Sequence, residues 1–195
     1  MEIGCGGTLL ELASRPQTTV SAVVMTGTPE RRGEAEDATP RFFPGAQVTV
    51  LDLPDSRLPQ HWDPLKIALE ELGRQHRPDL LFAPRIDDAH QDHRLLGRLV
   101  STVWRDALIL HYEIPKWDAD LTPPTHYVAV SSGNARRKVE LLNLSFPTQL
   151  GRDWWDDELF LGLMRLRGIE NRSKYAEGFF ASKARLDLGD EGGRR

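Results

Sequence analysis

Cysteine is almost absent from this sequence: Cys5 is the only one, which excludes an intramolecular disulfide framework and fits a reducing, cytoplasmic compartment. Basic charge is not in excess either. Against 29 aspartates and glutamates stand 25 lysines and arginines, and the formal net charge of −4 leaves no basic footprint for nucleic acid. No apolar run reaches the length of a membrane span, and no signal peptide is visible. Gly6 and Gly7 fall in a helical pattern over residues 4–14, but there is no G-x-G-x-x-G behind a strand, so the glycines do not indicate nucleotide binding. Repeats and low-complexity tracts are missing as well. What remains is 195 residues, 39% hydrophobic and 28% charged, enough for one domain with a substantial core. That domain is expected over residues 1–186, with residues 187–195, ending in G-D-E-G-G-R-R, as a frayed tail.

Strand patterns alternate with helical ones. Residues 18–25, with Val20, Ala22, Val23 and Val24, read as a buried strand, and residues 47–53 (Q-V-T-V-L-D-L) read as another by β-branched alternation. Between them, residues 26–40 carry Glu30, Arg31, Arg32, Glu34, Glu36 and Asp37 and read as a polar loop. Asp63-Pro64 opens a helix with Leu65, Ala68, Leu69 and Leu72 on one face. Strands are expected at residues 79–83, 107–112 and 125–131, and a helix capped by Ser132 runs to about residue 144. This alternation argues for a three-layer α/β domain. Residues 146–180 are rich in aromatics and charges; there Trp155 reads as core, and Trp154 as a candidate contact for a sugar ring.

The densest chemistry lies at residues 83–103, A-P-R-I-D-D-A-H-Q-D-H-R-L-L-G-R-L-V-S-T-V. Asp87, Asp88, His90, Asp92 and His93 fall where an apolar strand hands over to a helix marked by Leu95, Leu96, Leu99, Val100 and Val103. Ligands of open α/β sheets bind at the carboxyl ends of strands, which is where this loop stands. Two imidazoles around a carboxylate suit a divalent metal, since a neutral ring nitrogen binds it and a carboxylate either ligates or fixes a tautomer. Spacing alone does not separate this from an ordinary polar loop. Asp92 is expected to cap the helix, with His93 in its first turn.

Three blocks, M-E-I-G-C-G-G-T-L-L-E-L-A-S at residues 1–14, H-Q-D-H-R at 90–94 and R-S-K-Y-A-E-G-F at 172–179, occur in an order that resembles the PIG-L/LmbE-like zinc-dependent de-N-acetylases. The resemblance implies a Rossmann-like three-layer α/β/α fold with a mainly parallel sheet, and one zinc ion per subunit. It implies hydrolysis of an N-acetyl group on an amino-sugar conjugate, giving acetate and a free amine. His93 would be a zinc ligand; His90 would stabilise the oxyanion or protonate the leaving amine, and Asp92 would orient His90. Arg31 or Arg32 would supply a basic substrate contact, with Asp88 and Trp154 as further candidates for substrate binding. The expected partner is an N-acetylated sugar or glycoconjugate, and a homo-oligomer is compatible with the pattern.

The same resemblance implies an apolar strand ending in A-H-P-D-D directly before a segment like E-I-G-C-G-G, bearing two more zinc ligands and a catalytic base. The sequence begins after that position, which reads as truncation of a longer protein. The expectation is therefore a sheet without its first strand, with unpaired edges on the strands containing Val23 and Phe82. Residues 1–195 should then bind zinc weakly, deacetylate little and aggregate readily. Two other readings stay open. One is a catalytically inactive sugar- or partner-binding relative. The other is a metallohydrolase such as a phosphoesterase that shares only H-x-D-H; it would want more ligands, and His61, His76, His111 and His126 form no such motif.

Overall fold

In the computed structural model, which describes residues 1–185, helices flank a sheet that is divided in two. The expected tail lies outside the described residues. In chain order the elements are α1 (Glu2–Ala13), β1 (Ser21–Thr26), α2 (Pro29–Phe42), β2 (Gln47–Leu53), a 3-10 turn (Leu58–His61), α3 (Trp62–Gln75), β3 (Leu80–Pro84), α4 (Gln91–Val103), β4 (Leu108–Tyr112), β5 (His126–Val130), α5 (Ser132–Ser145), α6 (Asp157–Glu170) and β6 (Tyr175–Phe180). Strands β1 and β2 pair in parallel and form one sheet. The other has the order β3-β4-β6-β5, parallel at β3-β4 and antiparallel at β4-β6 and β5-β6. The fold is thus α/β and partly parallel. Among the described residues β1 pairs only with β2, and β3 only with β4, so the strands holding Val23 and Phe82 each keep one unpaired edge.

The period of 2 along the strands sorts their side chains into two clusters. Leu80, Phe82, Leu110 and Tyr112 face one that contains Leu9, Phe42, Val139, Leu142 and Phe160 of α1, α2, α5 and α6. Leu81, Ala83 and Ile109 face the other, with Leu65, Leu69, Leu99 and Val100 of α3 and α4. A helical layer therefore covers each face of the sheet.

One segment differs from expectation. Residues 26–40 do not form a polar loop, because α2 begins at Pro29 with Thr28 as its cap, the Thr28 hydroxyl accepting the Arg31 N–H at 3.4 Å. The inward side of α2 is half polar: Ala38 and Phe42 are buried, and so are Glu34 and Thr39. Glu34 accepts the backbone N–H and the hydroxyl of Thr148 at 2.8 and 2.7 Å, and the Thr39 hydroxyl donates to Glu2 at 3.0 Å. Hydrogen bonds across sequence thus replace the apolar stripe. The cap of α5 is Ser131 rather than Ser132, its hydroxyl accepting from Asn134 at 3.2 Å.

The block at residues 172–179 is explained by β6, which lies inside the sheet. Its Glu177, 3% exposed, accepts the N–H groups of Gly7 (2.8 Å) and Thr8 (2.7 Å), the Thr8 hydroxyl (2.6 Å) and the Lys138 ammonium (2.7 Å). One carboxylate ties α1, α5 and β6 together.

Candidate active site

Strand β3 ends at Pro84, and the six residues before α4 turn the chain over the carboxyl end of the sheet. Helix α4 can sit this close because residue 97 is glycine: a Cβ there would lie 2.5 Å from the Pro84 carbonyl oxygen and 2.8 Å from that of Arg85. His90, not Asp92, is the N-cap. Its Nδ1 accepts the Asp92 N–H at 3.3 Å, while the Asp92 carboxylate turns inward and takes the Leu58 N–H at 3.1 Å. Competition between helix end and interior moved the cap by two residues. The other Asp92 carboxylate oxygen is buried and has no hydrogen-bond partner.

Asp88 is the hub of the loop. Only 2% exposed, it accepts the His90 N–H at 2.8 Å, contacts His93 Nδ1 at 3.1 Å and takes the Lys116 ammonium at 2.9 Å. Burial works to raise its pKa, but the hydrogen bond and charge of His93 and the Lys116 ammonium outweigh it and hold the carboxyl well below the usual range. Because a carboxylate only accepts, the His93 nitrogen that faces Asp88, Nδ1, carries a proton, which leaves Nε2 as the nitrogen a metal would take in the neutral ring. His90 has the opposite arrangement. Its Nδ1 accepts, so the neutral ring carries its proton on Nε2. Burial, then the neighbouring His93 charge, lower the His90 pKa and favour that neutral form. The two rings stand 4.9 Å apart, tilted by 44°: one presents an acceptor, the other a donor. Asp92, expected to orient His90 through its carboxylate, does so here through its backbone N–H.

The segment after β4 closes over this loop. Lys116 also pairs with Asp118 at 3.1 Å, and Asp120 accepts the Ala89 N–H at 2.9 Å. Arg85 forks onto Asp87 at 2.9 and 2.8 Å and donates to the Asp120 carbonyl, and Arg94 donates to the carbonyls of Asp88 and Ala89. Lys116, Asp120, Arg85 and Arg94 were not anticipated. Lys116 lies 28 residues from Asp88, and no local pattern marks that pairing.

The remaining candidates lie elsewhere. Arg31 and Arg32 stand in the first turn of α2, beyond β1, with Arg32 paired to Asp52 of β2. Trp154 is half-buried among aromatic rings, packing on Trp117 and Trp155. Neither of the arginines nor Trp154 bonds to the histidine loop among the described contacts. Among the described residues, no group of three His, Cys, Asp or Glu side chains is placed to hold a metal ion.

An imidazole pair at the carboxyl end of a strand stands where open α/β domains place their ligand sites. The chain belongs to the GlcNAc-PI de-N-acetylase (PIG-L) family, whose model matches residues 1–104, including the entire loop and α4. Solved structures with the same fold include N,N'-diacetylchitobiose deacetylase from Pyrococcus horikoshii, with TM-score 0.72, 22% identity, and coverage of 92% of this chain and 78% of that one. The conserved protein TT1542 from Thermus thermophilus has TM-score 0.72 and 24% identity, over 100% of this chain and 94% of that one. The A40926 pseudoaglycone deacetylase Dbv21 has TM-score 0.69 and 15% identity, over 92% and 91%. No curated protein sequence gives a significant match.

Proposed function

We propose that this protein is an N-deacetylase that hydrolyses the acetamide of an N-acetylglucosamine-type sugar conjugate, releasing acetate and a free amine. The observation that carries the reading is the different anchoring of the two rings: His90 Nδ1 accepts the Asp92 N–H, whereas His93 Nδ1 faces the Asp88 carboxylate. An amide hydrolase needs a donor aimed at the carbonyl oxygen as it becomes an oxyanion. Neutral His90, with its proton on Nε2, is such a donor. His93, held by Asp88 through Nδ1, offers the other kind of nitrogen. Family membership and deacetylases among structures of the same fold support the same chemistry.

The proposal includes zinc. A zinc ion at His93 Nε2 would supply a water that ionises near neutral pH. The described residues offer that one nitrogen without the two further donors a catalytic zinc centre requires. Within the chain, His90 donates to the oxyanion, Asp88 fixes the His93 ring, and Lys116 neutralises Asp88. The incomplete donor set also favours a second reading, a non-catalytic sugar-binding relative.

In a chain supplied with the strand ending in A-H-P-D-D that the family resemblance implies, metal content measured beside rate separates the roles. His90→Ala should keep its zinc and lose about 10²–10³ in kcat on an N-acetylglucosamine conjugate. His93→Ala should lose zinc and activity together, with little rescue by excess metal. Zinc lost from His90→Ala and kept in His93→Ala would reverse the assignment.

A further inference from the structure

Beside the histidine loop, Trp117 is 61% exposed and yet held at two points. Its indole N–H donates to Asp153 at 3.0 Å, and its ring packs near-perpendicular on Trp154, with centroids 6.0 Å apart and 74° between planes. Trp154 packs on Trp155 at 5.6 Å, and Trp155 on Phe160 at 5.1 Å. The last two rings are in the core, so the ladder runs from the interior to an open indole. Other exposed apolar residues lie on helix faces, Ile67 on α3 and Leu166 with Ile169 on α6. Trp117 differs because its neighbour in sequence is Lys116, half-buried and bonded to Asp88 at 2.9 Å, so the chain carrying the indole is anchored on the hub of the histidine loop.

We propose that Trp117, braced by Trp154 and Asp153, is a stacking subsite for a second pyranose ring, the one joined to the sugar whose acetamide reaches His90. The proposal rests on the deacetylase reading and adds to it that the substrate is a disaccharide or longer glycoside. The chemistry is that of an amphipathic ring. One face of a pyranose is a patch of C–H groups that an open indole covers, and its hydroxyls stay in water. Fixing the indole beforehand removes the cost of ordering it on binding. Asp153, which accepts the indole N–H, sets the plane of the ring.

Calorimetric titration of residues 1–195 with N-acetylglucosamine and with N,N'-diacetylchitobiose tests this. The wild-type chain should bind the disaccharide about tenfold more tightly. Trp117→Ala should erase that preference and leave the Kd for N-acetylglucosamine unchanged, while Trp117→Phe, which keeps a stacking face, should retain most of it. Unaltered circular dichroism is expected for both, because the side chain is exposed. A disaccharide preference that survives Trp117→Ala, or is absent from the wild type while N-acetylglucosamine still binds, overturns the subsite and leaves the deacetylase reading standing. If neither sugar binds the wild-type chain, the deacetylase reading falls and the subsite falls with it.

Discussion

Removing the Glu177 carboxylate should cost more stability than any other single charge deletion in the sheet. In Glu177→Ala the Lys138 ammonium, itself buried, keeps only the Ile3 carbonyl, and the N–H groups of Gly7 and Thr8 lose their acceptor. Breaking one side of a buried ion pair costs about 3–5 kcal/mol, and each orphaned donor adds to it. Against a total stability of roughly 5–15 kcal/mol, this is a large share. With a urea slope of about 2–3 kcal/mol per molar, the unfolding midpoint should fall by about 1–2 M. Equilibrium urea unfolding, followed by tryptophan fluorescence at low protein concentration, measures it. The double variant Glu177→Gln with Lys138→Met should lose clearly less, because no uncompensated buried charge remains. A midpoint shift under about 0.3 M in Glu177→Ala would refute the idea that this carboxylate ties α1, α5 and β6 together.

Gly97→Ala should destabilise the chain and displace the histidine loop, since the new methyl would meet backbone oxygens of Pro84 and Arg85; shifted His90 and His93 resonances in two-dimensional NMR, beside a lowered melting temperature, would show it. Asp88 has a folded-state pKa below its unfolded value, so its contribution to stability is complete above about pH 4 and is lost as pH falls toward the folded value. Melts between about pH 6 and about pH 2.5 should therefore decline less steeply in Asp88→Asn than in the wild type; parallel curves would contradict this. Zinc titrated into residues 1–195 should bind with a Kd weaker than micromolar, as one ligating imidazole without further converging donors dictates, and sub-micromolar stoichiometric binding would show that other side chains complete the site. The unpaired edges of β1 and β3 should make the chain associate as concentration rises, seen as growing light scattering, whereas a monomer at every concentration would contradict it.

Most of the sheet was legible because its strands are short apolar runs bounded by proline or polar residues, and β3 and β4 fall within a residue or two of the positions read from pattern. Helix α2 was not, because its buried face contains Glu34 and Thr39, satisfied by Thr148 and Glu2 from distant parts of the chain. Strand β6 was hidden for a related reason. Its Y-A-E-G-F-F carries a glutamate that is tolerable inside a sheet only with Lys138 and two helical N–H groups upon it. The histidine loop announced itself through its density of ionisable groups. What sequence could not provide was the direction of each ring nitrogen, which depends on the Asp92 backbone and on the buried Asp88 carboxylate, or the reach of Lys116 across 28 residues.

Release of acetate and primary amine from N,N'-diacetylchitobiose, both quantified in one reaction with excess zinc, tests the deacetylase claim most directly. Slow, zinc-dependent formation of the two products in equal amounts is expected, with the rate falling about 10²–10³-fold in His90→Ala. Saturable binding of the sugar by the zinc-treated chain, with neither acetate nor amine formed, would contradict it.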